Sequence, residues 1–287
     1  MSVGEWRVKL RDVELGAYPY TIDEAGISGL GNAPMVTNDF AVNGMDGVYS
    51  QGDNFGAKTL GIPVTVHGST PAETEARRRA LCVAWQPVRG VDNEALELHL
   101  PDQDLASTLY FGRPRNAVAD LSLLRSGVAS VLLEFLASDP IRYAFDESSV
   151  TVPEADISGG LLVPADVPAL VGVSGDSGLR VANNVGDYET WPTLEITAPA
   201  GATNPRIENV TTGDILRLDI ALAAGDVLTI TTNPRRRSVL LNGSTDRYNA
   251  VDPTSSFFAL QPGGNTLRYS ATGAGGSTLV ASWRAAY

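Results

Sequence analysis

The chain of 287 residues is long enough for two ordinary domains or one large β-domain, and 43% hydrophobic residues support a packed core and exclude general disorder. A net charge of −12 disfavours general nucleic-acid binding, because phosphate affinity is built from many Lys and Arg contacts. Cys82 stands alone, so neither an internal disulfide nor a Cys-rich metal site is available, and the residue is expected as a small buried hydrophobe.

The chain opens MSVGEWRVKLRD, with no charged, apolar, small-residue leader. No apolar run approaches the ~20 residues of a membrane-spanning helix. The expectation is a soluble protein made in the cytoplasm, with no membrane insertion. From Gly26 to Gly61 the sequence is rich in Gly, Asn and Asp without periodicity, which reads as a long loop or extended hairpin. Tyr49 and Phe55 flank Gly52-Asp53-Asn54 there, and Tyr49, Asp53 and Phe55 are candidate subunit-interface or lumen residues. Ile62, Val64 and Val66 then alternate as a strand that ends at His67. Thr70-Pro71-Ala72-Glu73 predicts a helix start, with Thr70 as N-cap, Pro71 in the first turn and Glu73 reaching back. Ala76, Ala80, Leu81 and Ala84 form its apolar stripe, joined by Val83 and Trp85, and Pro87 ends it. Glu73 with Arg77 and Glu75 with Arg79 make i,i+4 pairs, so Arg77-Arg78-Arg79 reads as a solvated helix face. Leu96, Leu98 and Leu100 alternate after it, with Glu97 and His99 opposite. Next, LYFGRPRNAVADLSLLRSGVASVLLEFLASDP (109–140) reads as a strand running into a turn at Gly112-Arg113-Pro114-Arg115, then a run Val131–Leu136 broken at Ser138-Asp139-Pro140. Strand, helix and strand followed by this pair imply a sheet with one helix packed across it.

Around Asp146–Pro153 the composition turns to Ser, Pro, Asp and Gly, which places a boundary between 1–146 and 147–287. Beyond it the pattern is all β. Leu216, Leu218, Ile220 and Leu222 alternate, Gly225-Asp226 marks a turn, Leu228 and Ile230 follow, and Val239–Leu241 precedes Asn242-Gly243. Strands at Phe257–Leu260, Leu267–Ala271 and Leu279–Trp283 complete a sandwich or jelly-roll.

Catalytic chemistry is thinly supplied. Gly175-Asp176-Ser177-Gly178 matches the core of the trypsin-like nucleophile motif, and His67 and Asp102 precede it in that order. Leu179 replaces the next glycine and His67 falls in the other domain, so a Gly/Ser turn is the better reading. Asp102 and Asp104 lack a Ca²⁺-loop pattern, and no phosphate loop is present. Arg235-Arg236-Arg237 reads as an exposed hairpin tip or a contact for an anionic partner. Trp191 and Trp283 fit core or inter-sheet packing better than sugar stacking. No cofactor is implied.

The colinear order of Leu60–His67, the helix Pro71–Trp85, the Tyr110–Arg115 segment and Phe135–Pro140 resembles the N-terminal domain of the distal tail proteins (minor tail proteins) of long-tailed bacteriophages. Asn184-Val185-Gly186-Asp187-Tyr188-Glu189-Thr190-Trp191-Pro192 and the strands to Trp283 resemble the galectin-like C-terminal domain of such components. The resemblance implies a mainly β protein: a split β-barrel or sandwich with one helix, then a galectin-like β-sandwich. It implies a non-enzymatic virion protein of the tail tip or baseplate. Its N-terminal domains close a hexameric ring on the tail tube protein, above the tail hub protein. Its C-terminal sandwiches hold receptor-binding or other tip proteins, and DNA passes through the channel without specific binding. Arg113, Arg115, Arg235, Arg236 and Arg237 then become turn or partner-contact arginines. The rival readings are a carbohydrate-binding module for a host glycan and, more remotely, a hydrolase using Ser177.

Overall fold

The computed structural model describes residues 6–155 and 177–287, apart from positions 25, 42, 45, 50, 92, 102–106 and 274. Two compact units divide the chain, Met1–Phe145 and Asp146–Tyr287.

The strands of the first unit are β1 (Arg7–Leu10), β2 (Val13–Leu15), β3 (Tyr20–Ile22), β4 (Met35–Val36), β5 (Phe40–Ala41), β6 (Val48–Tyr49), β7 (Asn54–Phe55), β8 (Lys58–His67), β9 (Glu94–His99), β10 (Ser107–Asp120) and β11 (Val128–Ala144), with helix α1 at Pro71–Ala84. Seven of them form one sheet in the order β2-β1-β9-β10-β11-β8-β3. Its two edges meet at a tight turn, where the Gly16 N–H donates to Tyr20 O at 2.7 Å, so the sheet is a nearly closed barrel. Edge closure removes the unpaired ladder that an open sheet would expose. Leu60, Ile62, Val64 and Val66 alternate inward on β8, as the period of two predicts, and Leu133 and Phe135 face them from β11.

Helix α1 plugs this core with Leu81 and Trp85, and the Trp85 indole N–H donates to Glu134 O at 3.0 Å. Its start follows the expected chemistry with one shift. Thr70 Oγ1 accepts from the Glu73 N–H at 3.2 Å, but the Glu73 carboxylate reaches past Thr70 to the Ser69 N–H at 2.8 Å and to the Ser69 hydroxyl. Cys82 is half-buried, its Sγ 3.6 Å from an Arg78 guanidinium nitrogen, because it lies at the side of the helix stripe.

The expected turn at Gly112–Arg115 is absent. β10 runs straight through it, pairing Arg113 with Leu136 and Pro114 with Phe135. The proline is tolerated because β10 pairs with β9 only as far as Gly112, so beyond that point its second edge carries no described ladder for a missing N–H to break. A register shift between Pro114 and Asn116 absorbs the irregularity, and a Cβ on Gly112 would sit 2.0 Å from Leu136 O. Likewise Ser138-Asp139-Pro140 bulges β11 without ending it. The Asp139 carboxylate accepts from the Tyr143 hydroxyl and the Ile141 N–H across the bulge. The true hairpin end is a 3-10 turn at Leu124–Ser126 capped by Gly127.

The second unit contains β12 (Ser148–Pro153), β13 (Leu179–Asn184), β14 (Thr193–Ala198), β15 (Ala202–Asn209), β16 (Asp214–Arg217), β17 (Ala221–Leu222), β18 (Asp226–Thr231), β19 (Ser238–Leu241), β20 (Thr245–Asp246), β21 (Gly263–Thr272) and β22 (Thr278–Trp283). One sheet runs β12-β22-β14-β18-β19-β20 and the other β13-β21-β15-β16, with β17 beside β15. Leu194, Ile196, Leu228 and Leu279 from the first meet Ile207, Leu216, Leu267 and Tyr269 from the second in one core. Trp283 lies in that core, while Trp191 is only half-buried. Phe257–Leu260 is not a strand, although Phe258 and Leu260 are buried: only Leu260 pairs, in a bridge to Thr190.

Asn184–Pro192 owes its sequence to this packing. The Asn184 amide donates to Tyr188 O at 2.8 Å and to Leu260 O at 3.2 Å, and its oxygen accepts from the Gly186 N–H. A side chain at Gly186 would place a Cβ 2.2 Å from Ala286 O.

Candidate functional site

Among the described residues, no three His, Cys, Asp or Glu side chains converge to hold a metal. His67 Nε2 lies 2.8 Å from the Thr21 hydroxyl and His99 Nδ1 2.8 Å from the Ser107 hydroxyl. Each imidazole is thus occupied within its own sheet, and Ser177 belongs to the other unit. Asp102, Asp104, Gly175 and Asp176 lie outside the described residues. No helix of the described residues is long and apolar enough to cross a membrane.

The conspicuous surface feature is an arm. β4 pairs with β7 (Met35 with Phe55, Val36 with Asn54) and β5 with β6 (Phe40 with Tyr49, Ala41 with Val48), so the described residues of this stretch form two ladders of one hairpin with a one-residue slip between them. The Asn38 amide bridges the slip to Gly52 O at 3.4 Å. Phe40 and Tyr49 stack with ring centroids 5.5 Å apart. Met35, Val36, Phe40, Val48, Tyr49 and Phe55 are all exposed, from 44% at Phe55 to 61% at Val48. Asp53 lies exposed on the returning side. Of the predicted loop residues, Tyr49, Asp53 and Phe55 therefore share this arm.

Its root is pinned on both sides. The Gly56 N–H donates to Pro34 O at 2.7 Å. Lys58 is buried, its ammonium donating to Gly31 O and lying 5.1 Å above the Tyr110 ring. Burial, and then the Arg142 charge, push the Lys58 ammonium below the ordinary lysine range.

A second surface lies on the outer face of β10 and β11. Arg113 and Arg115 are exposed at one end, Val118 (52%) pairs with Leu132 (41%) in the middle, and Leu121 and Leu123 are exposed at the hairpin end. Asp23, Pro63, Val118 and Leu132 line a shallow groove of about 230 Å³ there. Sequence reasoning reached the two arginines but missed this apolar strip. The available signal was the alternation of Asn116, Val118 and Asp120 with Ala117 and Ala119, which a turn assignment at Gly112–Arg115 leaves unread.

In the second unit, Arg235, Arg236 and Arg237 occupy the exposed connection between β18 and β19. The Arg237 guanidinium lies 4.9 Å over the Phe257 ring, and Phe257 stacks in turn with Tyr248 at 6.0 Å.

A nearly closed barrel with one helix and a β-sandwich, in separate units, define the class: a two-unit, mainly β protein. The crystal structure of SPP1 Dit, described as a paradigm of the hub adsorption apparatus in phages infecting Gram-positive hosts, matches with a TM-score of 0.70 at 16% identity, covering 99% of this chain and 100% of that one. Structures of the phage P2 baseplate in its activated conformation, with Ca or with Sr, match at TM-scores of 0.51 and 0.53 with 10% identity, covering 97% of each chain. Among curated proteins no relative matches. Residues 185–287 match the family model of the siphovirus-type tail component, C-terminal domain. The family match falls within the second unit, and the fold is similar to that of SPP1 Dit over nearly the whole chain.

Proposed function

We propose that this chain is a structural virion protein of a phage tail tip, acting as a distal tail protein. Six copies close a ring through their first units, joining the tail tube to the tail hub, while the second units hold receptor-binding or other tip proteins. The observation that carries the reading is the arm: an apolar hairpin held at its root and left uncovered by its own chain is built for a protein neighbour. Tyr49, Asp53 and Phe55 are its contact residues, and Arg113, Arg115, Arg235 and Arg236 are contacts for neighbouring subunits or tail proteins. The acidic balance suits a channel through which DNA passes without being held.

The test is the mass of the purified chain by light scattering. The expected result is six times the 30.3 kDa chain mass, falling to the monomer when residues 35–55 are replaced by a short glycine linker. An arm-deleted chain that keeps the full assembly mass would remove the arm from the ring contact.

Host-glycan binding by the second unit is the alternative reading, favoured by the Arg237–Phe257–Tyr248 stack, whose outer ring is 43% exposed. Glycan-array binding that Tyr248→Ala abolishes would establish it.

A further inference from the structure

We propose that the end of the second unit built from Arg237, Arg247, Tyr248 and Phe257 binds an acidic saccharide, a sugar ring carrying a phosphate or a carboxylate. This rests on the glycan reading above and names its ligand chemistry; the ring reading is independent of it.

Three segments meet to make the site. The Arg247 N–H donates to Val239 O at 2.8 Å, which sets Arg247 and Tyr248 beside the exit of the Arg235–Arg237 turn. The Asp252 N–H donates to Arg217 O at 3.0 Å and the Ser256 N–H to Ile215 O at 2.8 Å, which holds the run up to Phe257 along β16. At the junction the Phe257 and Tyr248 rings stack with their planes 8° apart, and the Arg237 guanidinium lies against Phe257. Phe257 packs on the rim of the core, whereas Tyr248 stays 43% exposed.

The two kinds of group suit the two parts of one ligand. An aromatic face carries negative potential and receives the weakly positive C–H face of a sugar ring. Guanidinium groups grip a phosphate or carboxylate through forked hydrogen bonds and keep their charge at every physiological pH.

Local charge agrees. Segments 215–220, 233–237 and 246–257 carry Arg217, Arg235, Arg236, Arg237 and Arg247 against Asp219, Asp246 and Asp252. The surplus is positive in a chain whose net charge is −12. Two of the three acids are engaged in their own turns: Asp246 accepts from the Tyr248 N–H at 2.8 Å and Asp252 from the Thr254 N–H at 2.7 Å. Asn233 Oδ1 accepts from the Arg235 N–H at 3.0 Å and ties the arginine turn in the same way. Loops held by their own side chains lose little further freedom when a ligand arrives.

The same balance selects a saccharide over other anions. A long polyanion such as single-stranded nucleic acid extends past these arginines onto an acidic protein. A sugar with one or two acidic groups stays within about one Debye length, ~8 Å, of the local cations. An acidic peptide satisfies the arginines but leaves the Tyr248 face unfilled.

Binding of the full chain to an array of neutral, phosphorylated and uronic-acid oligosaccharides tests the site. The acidic sugars should be retained at least tenfold more strongly than their neutral counterparts, and the acid held tighter identifies which of the two the site takes. Tyr248→Ala should lower that retention at least tenfold and Arg247→Gln at least fivefold, while Tyr248→Phe keeps it. Should Tyr248→Ala lower the unfolding midpoint, the Arg247→Gln and Tyr248→Phe pair still decides. Equal retention of neutral and acidic sugars overturns the acidic ligand and leaves the glycan reading standing. Polyphosphate, a single-stranded oligonucleotide or a polyglutamate peptide held as strongly as the acidic sugars, with no response to Tyr248→Ala, overturns the sugar platform. No retention of any sugar overturns the glycan reading and this proposal together.

Discussion

Gly16 closes the barrel at a backbone φ of +110°, with Trp6 O only 1.9 Å from where a Cβ would stand. Gly16→Ala combines a left-handed strain with that overlap and should cost about 1–3 kcal/mol in urea unfolding. At Trp85 the indole N–H donates to Glu134 O from inside the core, so Trp85→Phe should cost about 1 kcal/mol in urea unfolding by removing that hydrogen bond. In the second unit, Ser277 donates its hydroxyl to Glu154, which leaves Tyr269 as donor to the Ser277 oxygen at 2.8 Å. Burial pushes the Tyr269 phenol up to about 12, opposed by the Ser277 hydrogen bond and aided by the Glu154 charge. An unfolded tyrosine titrates near 10. The native state therefore holds more protons between these values, and stability that is complete below pH 10 is lost as pH rises toward 12. Urea titrations across that window should show wild type losing about 2 kcal/mol more than Tyr269→Phe; equal slopes would contradict the assignment.

At the scale of elements, α1 was the most legible. Its capping residues and apolar stripe lie within a few positions of one another, and they act through local backbone groups. Thr70→Ala should cost about 1 kcal/mol, measured as a lowered unfolding midpoint. Glu73 reaches Ser69 rather than the N-cap residue itself, on a segment where the Gly68 N–H is already held by Gly127 O, a partner distant in sequence. β10 and β11 were misread for a related reason. Pro114 and Pro140 signal breaks locally, but whether a missing N–H breaks a ladder depends on which neighbour lies alongside, and that is a property of the sheet. The arm was legible as an extended hairpin, since Tyr49, Asp53 and Phe55 fall in a Gly- and Asn-rich stretch, but its register was not. Its side chains bury little in their own copy, so deleting residues 35–55 should leave the thermal midpoint of the barrel unchanged while altering assembly.

For the whole molecule, a charge of −12 acts through distance rather than contact. Gel-shift experiments with double-stranded DNA at physiological salt should show no retardation, and a tight complex would contradict the proposed passive channel. Near the sequence pI of about 4.6 the same charge vanishes and solubility should reach its minimum. The similarity to SPP1 Dit at 16% identity over nearly the full chain belongs to this scale too, since the course of the backbone is shared where most individual residues differ.

By itself, the sequence determined the β character of both halves, the single helix, the change of texture near residue 146 and the resemblance to tail proteins. Each of these is written in period, composition or colinear order, which need no folded neighbour to be read. Only the tertiary structure decided that Gly112–Arg115 continues a strand, that Val118 and Leu132 are left exposed beside those arginines, and that the arm projects uncovered. Exposure and edge pairing are relations between segments distant in the chain, and a side chain carries no local mark of which neighbour will fail to cover it.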